Sequence, residues 1–157
     1  MKPIRSVLSA LAGIVLVSAT ILFAPPASAM FYGNYNLHIP DRRDFHTWIF
    51  AAMTPCRGFP VEGATCIRVQ TIPQPVAKAK YTHADAMLGD DGFYTMVIDD
   101  PFGLRCGDIY YGPVIPTHDV YRWHKDTLAG EMVSSFATGC DGAPGGSFTY
   151  PISLTRM

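Results

Sequence analysis

Phe45-His46-Thr47-Trp48-Ile49-Phe50-Ala51-Ala52 leads to Cys56, and Cys66 opens a second apolar run, Ile67-Arg68-Val69-Gln70-Thr71-Ile72. Between the cysteines stand Gly58, Pro60 and Gly63, residue types that turn a chain rather than extend it. Two runs rich in aromatic and β-branched residues on either side of such a loop read as a β-hairpin, here stapled at its base by a disulfide. The stretch sets the expectation of a disulfide-bearing β domain.

The same signature recurs on both sides. Tyr35, Leu37 and Ile39 alternate with Asn34, Asn36 and His38, the period of two of a half-buried strand. Pro40-Asp41-Arg42-Arg43 ends it. Pro73-Gln74-Pro75 stops the second hairpin strand, because proline removes a ladder donor. Val76 to Tyr81 reads as a short edge strand guarded by Lys78 and Lys80, charges that discourage edge pairing. Asp90-Asp91-Gly92 turns the chain into the run Phe93 to Ile98, and Asp99-Asp100-Pro101-Phe102-Gly103 reads as another turn before Leu104-Arg105-Cys106. Gly107 to Pro116 reads as irregular. Val120 to Trp123 and Met132 to Phe136 form a further strand pair, and Cys140 opens a glycine-rich loop. Phe148, Tyr150, Ile152 and Leu154 alternate in the last run, where Pro151 suggests a bulge or an edge. Seven or eight short strands with no capped helical segment after the leader predict an all-β fold. We expect a small antiparallel up-and-down barrel-like meander, with a β-sandwich as the alternative.

The N-terminus speaks to compartment. Lys2 and Arg5 precede a run from Val7 to Ala24 broken only by Ser9, Ser18 and Thr20, followed by Pro25-Pro26 and Ala27-Ser28-Ala29. A positive start, an apolar middle and small residues at the end make a secretory signal peptide. Residues 1–29 are read as that leader and 30–157 as one secreted β domain; the alternative is a leader retained as an anchor. Lys2 and Arg5 leave with the leader, so the exported part carries 10 basic against 13 acidic residues, about −3. That balance argues against a nucleic-acid partner, and no other run is long enough to enter a membrane. All four cysteines, Cys56, Cys66, Cys106 and Cys140, fall in the exported part, which reads as two disulfides in an oxidising compartment. Of the three pairings, Cys56–Cys66 with Cys106–Cys140 is favoured, because the first pair is local and flanks a turn-rich loop. In the chain-entropy account these closures contribute about 3 and about 4 kcal/mol.

Several segments, in order, carry a resemblance: Trp48 with Thr54-Pro55-Cys56, Cys66-Ile67-Arg68-Val69, Asp91-Gly92-Phe93-Tyr94-Thr95-Met96, Gly103-Leu104-Arg105-Cys106, Val120-Tyr121-Arg122-Trp123 with Thr127-Leu128-Ala129-Gly130, and Tyr150-Pro151-Ile152-Ser153-Leu154-Thr155. Together they resemble small exported proteins of mycobacteria and related actinobacteria. The resemblance implies export, disulfides and β structure, and it brings no catalytic or binding residues with it.

Chemistry is sparse. His118 and His124 lie six apart, which on one strand separates them by about 20 Å, too far to share a zinc ion. Gly145-Gly146-Ser147-Phe148 lacks the strand–turn–helix setting of a hydrolase elbow, and Ser134-Ser135 falls inside a strand. Asp90-Asp91 and Asp99-Asp100 sit beside glycine or proline, as turn aspartates do. Neither a metal, a cofactor nor a catalytic group is expected. The aromatics are the remaining candidates: Tyr110 and Tyr111, in a loop with Gly112 and Pro113, together with Trp123 and Trp48, as a contact surface for a partner. The expected function is a secreted, monomeric, non-enzymatic binding module of the cell envelope or extracellular space. Its partner would be a protein, a glycan or an apolar small molecule. The alternative is a lipocalin-like carrier whose cavity is lined by residues such as Trp48, Phe50, Phe93 and Ile98.

Overall fold

The computed structural model describes residues 32–40, 42, 47–59, 65–73, 81–107 and 112–157. Eight strands follow one another: β1 (Gly33–His38), β2 (Thr47–Pro55), β3 (Cys66–Pro73), β4 (Thr82–Leu88), β5 (Phe93–Arg105), β6 (Val114–His124), β7 (Ala129–Thr138) and β8 (Pro144–Arg156). Each pairs antiparallel with its neighbour in the chain, and β8 returns to β1 through Tyr35–Arg156, Asn36–Thr155, Leu37–Leu154 and His38–Ser153. The result is a closed up-and-down barrel and not a sandwich. Closure removes the long exposed edges a small open sheet would carry.

Alternation places the core. Tyr35, Leu37, Phe50, Ala52, Ile67, Val69, Ala86, Tyr94, Met96, Tyr121, Trp123, Met132, Ile152 and Leu154 point inward and are buried. Four rings fill the middle: Phe50 meets Tyr121 edge-on at 5.3 Å and Trp123 at 5.7 Å, and Tyr94 stacks on Trp123 at 5.6 Å. Their spacing is that of favourable aromatic pairs. Burial in this company pushes the Tyr94 phenol up to about 12, with Tyr32 and Tyr35 adding to the effect. Outward residues carry charge, in cross-strand pairs such as Arg68–Asp85 at 3.0 Å and His118–Asp99 at 2.7 Å, and Arg122 pairs with Asp91 of the β4–β5 turn. An apolar lumen within a charged wall is the inverse of a membrane-spanning barrel. Among the described residues, no helix is long and apolar enough to cross a membrane.

Both disulfides form as expected from the sequence, Cys56–Cys66 and Cys106–Cys140. Antiparallel meandering puts them at opposite poles. Cys56–Cys66 closes the β2–β3 connection at the pole where both chain ends of the barrel meet. Cys106–Cys140 ties the tip of the β5–β6 hairpin to the tip of the β7–β8 hairpin at the other pole.

Three local readings change. Asp99 to Gly103 is not a turn; it is a register shift within β5, between the pairs Asp100–Thr117 and Leu104–Ile115. The Asp100 carboxylate accepts from the Phe102 N–H at 2.9 Å, and the absent side chain of Gly103 makes room for Thr117, whose hydroxyl would lie 1.7 Å from a Cβ there. The residues that looked like a turn instead kink a continuing strand. Second, β6 begins at Val114, inside the segment read as irregular. Third, a strand absent from the sequence reading runs from Thr82 to Leu88, while Val76 to Lys80 lies outside the described residues. Pro151 sits opposite Glu131 of β7, and β8 pairs with β1 only from Ser153 onward. At the proline, the β1 side of the strand has no ladder partner to lose.

Candidate functional site

The cysteine-tied pole of β5 to β8 is where the barrel wall comes apart. Pairing between β6 and β7 runs from Trp123–Gly130 only as far as His118–Ser135. Beyond that pair, β6 continues to Val114 beside β5, and β7 continues to Thr138 beside β8. The two hairpins therefore splay as separate arms, and Cys106–Cys140 rejoins them at their tips. Between them lies a cleft of about 650 Å³ lined by Asp99, Asp100, Pro101, Pro116, Thr117, His118, Ser135, Phe136 and Ala137. On the far side of β5 the β4–β5 ladder is also short, with the pairs Met87–Thr95 and Leu88–Tyr94. A smaller hollow of about 360 Å³ opens there and shares Asp99.

The cleft has a polar base and apolar sides. His118 Nδ1 lies 2.7 Å from Asp99 Oδ1, and both side chains are largely exposed. Ser135 Oγ donates to the His118 main-chain oxygen at 3.1 Å. Asp99, His118 and Ser135 thus form a row across three strands, a set of residue types that elsewhere performs acyl transfer. Here the serine hydroxyl is turned to a carbonyl. Phe136, Pro101, Pro116 and Ala137 supply the sides, and Phe136 continues into an aromatic row on β8, 5.5 Å from Phe148, which lies 6.2 Å from Tyr150.

Beneath the cleft the lumen turns polar. Asp119, on β6, is buried and accepts a 2.6 Å hydrogen bond from Ser134 Oγ. Burial raises its carboxyl above the usual carboxylate range, while the hydroxyls of Ser134 and Thr117 and the Arg42 guanidinium pull it back and Asp100 pushes it further up. Arg42 comes from the β1–β2 connection and is itself buried. It donates to the Gly103 carbonyl at 2.6 Å, contacts Met132 Sδ at 3.3 Å and stands over the Tyr150 ring at 5.4 Å. Arg42 therefore stoppers the apolar core at this pole, and its donor on Gly103 holds the kink in β5 where it borders the cleft. On the next pair of walls, the Thr71 and Thr82 hydroxyls bond to one another.

The aromatic candidates divide. Tyr110 and Tyr111 lie outside the described residues. Trp123 is fully buried among Phe50 and Tyr94, so it belongs to the core and presents no contact surface. Trp48 is half-buried on β2. The four residues considered for a cavity do not share a wall. Phe50 and Ile98 are packed in the core, whereas Phe93 lies outside, beneath the Arg122 guanidinium at 4.1 Å and against His124 at 5.1 Å. Trp123→Ala is expected to cost about 3–5 kcal/mol of stability, read as a lowered urea midpoint. A variant that folds as stably as the parent would remove Trp123 from the core assignment.

Among the described residues, the group close enough to surround a metal ion is Cys56, Cys66 and Asp85. Its two sulfurs are joined to each other and offer no thiolate. The sequence reading set Asp99-Asp100, His118 and Ser135 aside one by one and missed their convergence, because they come from β5, β6 and β7. A signal was present: Pro101 and Pro116 are positions where a central strand would not place proline.

Compared with family models, curated proteins and solved structures, the chain matches none.

Proposed function

We propose that this protein is an exported binding module that engages its partner through the cleft between the β5–β6 and β7–β8 arms. The observation that carries this reading is the end of the β6–β7 ladder at His118–Ser135, which opens a cleft of ligand-site size in the barrel wall. The lumen, by contrast, is occupied by the protein's own side chains. Two disulfides suit an oxidising environment outside the cytoplasm, in keeping with the leader read in residues 1–29.

The test is photocrosslinking of the exported chain in its own host. A benzophenone amino acid is placed at Phe136, in the cleft, or at Met87, an exposed residue near the opposite pole. A discrete adduct from position 136 and none from position 87 is the expected result. Adducts from position 87 alone, or equal adducts from both, would remove the cleft from the reading. Native mass spectrometry of the same preparation addresses the carrier alternative. We expect the mature mass, lighter by four hydrogens for the two disulfides. Extra mass that leaves on denaturation and is unaffected by changes in the cleft would place a ligand in the lumen instead.

A further inference from the structure

The barrel wall has a second opening, the seam between β4 and β5, and main-chain hydrogen bonds fix the phase of both its edges. The β4–β5 ladder holds at Met87–Thr95 and Leu88–Tyr94 and goes no further among the described residues. Along an antiparallel strand, alternate residues direct N–H and C=O to opposite sides. On β5, the Gly89 N–H donates to the Phe93 carbonyl at 2.8 Å, so odd-numbered residues face β4. The Lys125 N–H donates to the Gly92 carbonyl at 2.9 Å, which turns even-numbered residues to β6, in a register unbroken from Phe93 to Asp100. On β4, the Leu88 N–H donates to the Thr65 carbonyl at 2.8 Å, so even-numbered residues face β3 and odd-numbered ones face β5. Val97 and Asp99 on one edge, and His83 and Asp85 on the other, therefore direct their main-chain groups into the seam. No ladder pair joins them among the described residues. Neither stretch contains a proline, so every one of these residues keeps both its donor and its acceptor.

The same alternation sorts the side chains. Val97, Asp99 and Asp85 point outward and are exposed, whereas Ile98 is buried and Ala84 packs against the core. Each carboxylate is engaged through one oxygen, Asp85 Oδ1 by Arg68 at 3.0 Å and Asp99 Oδ1 by His118 at 2.7 Å, and Asp99 stands 87 % exposed. The hollow at the mouth of the seam holds about 360 Å³ and is bordered by Thr82 and His83 on one side and Ile98 and Asp99 on the other. Strand edges of this kind accept an extended backbone. In such a backbone, two outward residues separated by one position would lie beside Asp85 and Asp99, and the residue between them would face inward over Ile98 and Ala84.

We propose that the seam takes an extended peptide of a partner protein, added to β5 as a short strand, with basic residues facing outward at alternate positions and a small apolar residue between them. Main-chain hydrogen bonds to Val97 and Asp99 supply affinity, as in other cases of strand addition. Asp85 and Asp99 select the basic residues, and the floor of Ile98 and Ala84 limits the size of the inward one. The ladder closes at Met87–Thr95, so the segment ends short of Met87. This site lies across β5 from the cleft between the arms, and neither needs the other.

The test uses amide chemical-shift mapping on the full exported chain with both disulfides formed. The probes are a pool of capped hexapeptides alternating lysine or arginine with small apolar residues, the matching pool with glutamate, and the basic pool N-methylated along its backbone. The basic pool is expected to move the amides of Val97 and Asp99 in a saturable way and to leave those of Ser135 and Phe136 in place. Binding of the glutamate pool should be about tenfold weaker, and the N-methylated pool should be inactive. Val97→Pro removes a donor from the seam and spares the β5–β6 ladder, whose bonds come from even-numbered residues, so it should abolish binding. Should that variant fail to fold, the N-methylated pool tests the same bonds on the unaltered protein. Asp99→Asn should erode the preference for basic peptides. Equal binding of both charge pools, undiminished binding after N-methylation, or silence at the seam amides would overturn the proposal. Seam amides that move with protein concentration alone would make a second copy the occupant. Nuclear Overhauser contacts in the free protein from the Val97 amide to residues 76–80 would mean that the chain covers the seam itself. Either result would likewise overturn the proposal, and none of these outcomes bears on crosslinking from Phe136 in the cleft.

Discussion

Arg42→Met is expected to destabilise the protein by about 3–5 kcal/mol at neutral pH, the cost of removing one partner from a buried charge interaction. The guanidinium holds the Gly103 carbonyl and lies within the field of Asp119, whose carboxyl is buried beneath it. The effect depends on pH, and its sign follows from linkage. Because burial raises the Asp119 pKa above its unfolded value, the folded state retains a proton that the unfolded state has lost. Stability from this group is fully present below the ordinary carboxylate range and falls as pH rises through the raised folded value. Removing Arg42 deletes a group that favours the ionised carboxyl, so the fall becomes steeper. The variant should therefore lose less stability in urea melts at pH 4.5 than at pH 7.5. Asp119→Asn should flatten the pH dependence, and in the double variant it should restore much of what Arg42→Met lost. Equal losses at both pH values, with additive single and double effects, would show that the two groups are not coupled.

Replacing both Cys106 and Cys140 with serine is the second large change. Their separation of 34 residues corresponds to about 4 kcal/mol in the chain-entropy account, against about 3 kcal/mol for Cys56 and Cys66 at a separation of 10. Against a typical total of 5–15 kcal/mol, either loss is large. The two variants should differ in kind as well as size. Without Cys106–Cys140, no covalent link joins the arms beyond His118–Ser135, so amide exchange should quicken in residues 100–105, 114–117 and 136–148. Without Cys56–Cys66, exchange should quicken at the opposite pole and leave the arms as they were. If the first variant loses stability evenly around the barrel, the arms are held by packing and the tie is not what keeps the cleft narrow.

Fold class and cysteine pairing were legible in the sequence because both rest on local signals. Alternation along Tyr35 to Ile39 and Phe148 to Leu154 marks inward and outward faces directly, and Cys56–Cys66 flanks a loop that announces itself with Gly58 and Pro60. Strand β4 escaped because its inward residues, Ala84 and Ala86, face His83 and Asp85 across the strand, and alanine gives little apolar contrast and little strand preference. Asp99 to Gly103 reads as a turn by residue type and becomes a kink only because β6 stays paired on either side of it. Arg42 stands in Pro40-Asp41-Arg42-Arg43, read only as the end of the first strand. Its burial comes from contacts with Gly103, Met132 and Tyr150, all distant in sequence. The cleft was least legible of all: it exists because a ladder stops, and where a ladder stops is decided by strands distant in sequence. Trp123 shows the converse, an aromatic whose residue type suits a contact surface and whose position in the alternation commits it to the core.

The course of the chain also decides which way the molecule can be held. Residues 33–35 run alongside Arg156, and the Met157 N–H donates to the Asn34 carbonyl, so the barrel is entered and left at one pole while the cleft occupies the other. A handle that leaves the barrel directly at Tyr32 or at Met157 sits on the far side from the mouth. Tethered at that pole of the barrel, the protein presents its cleft outward.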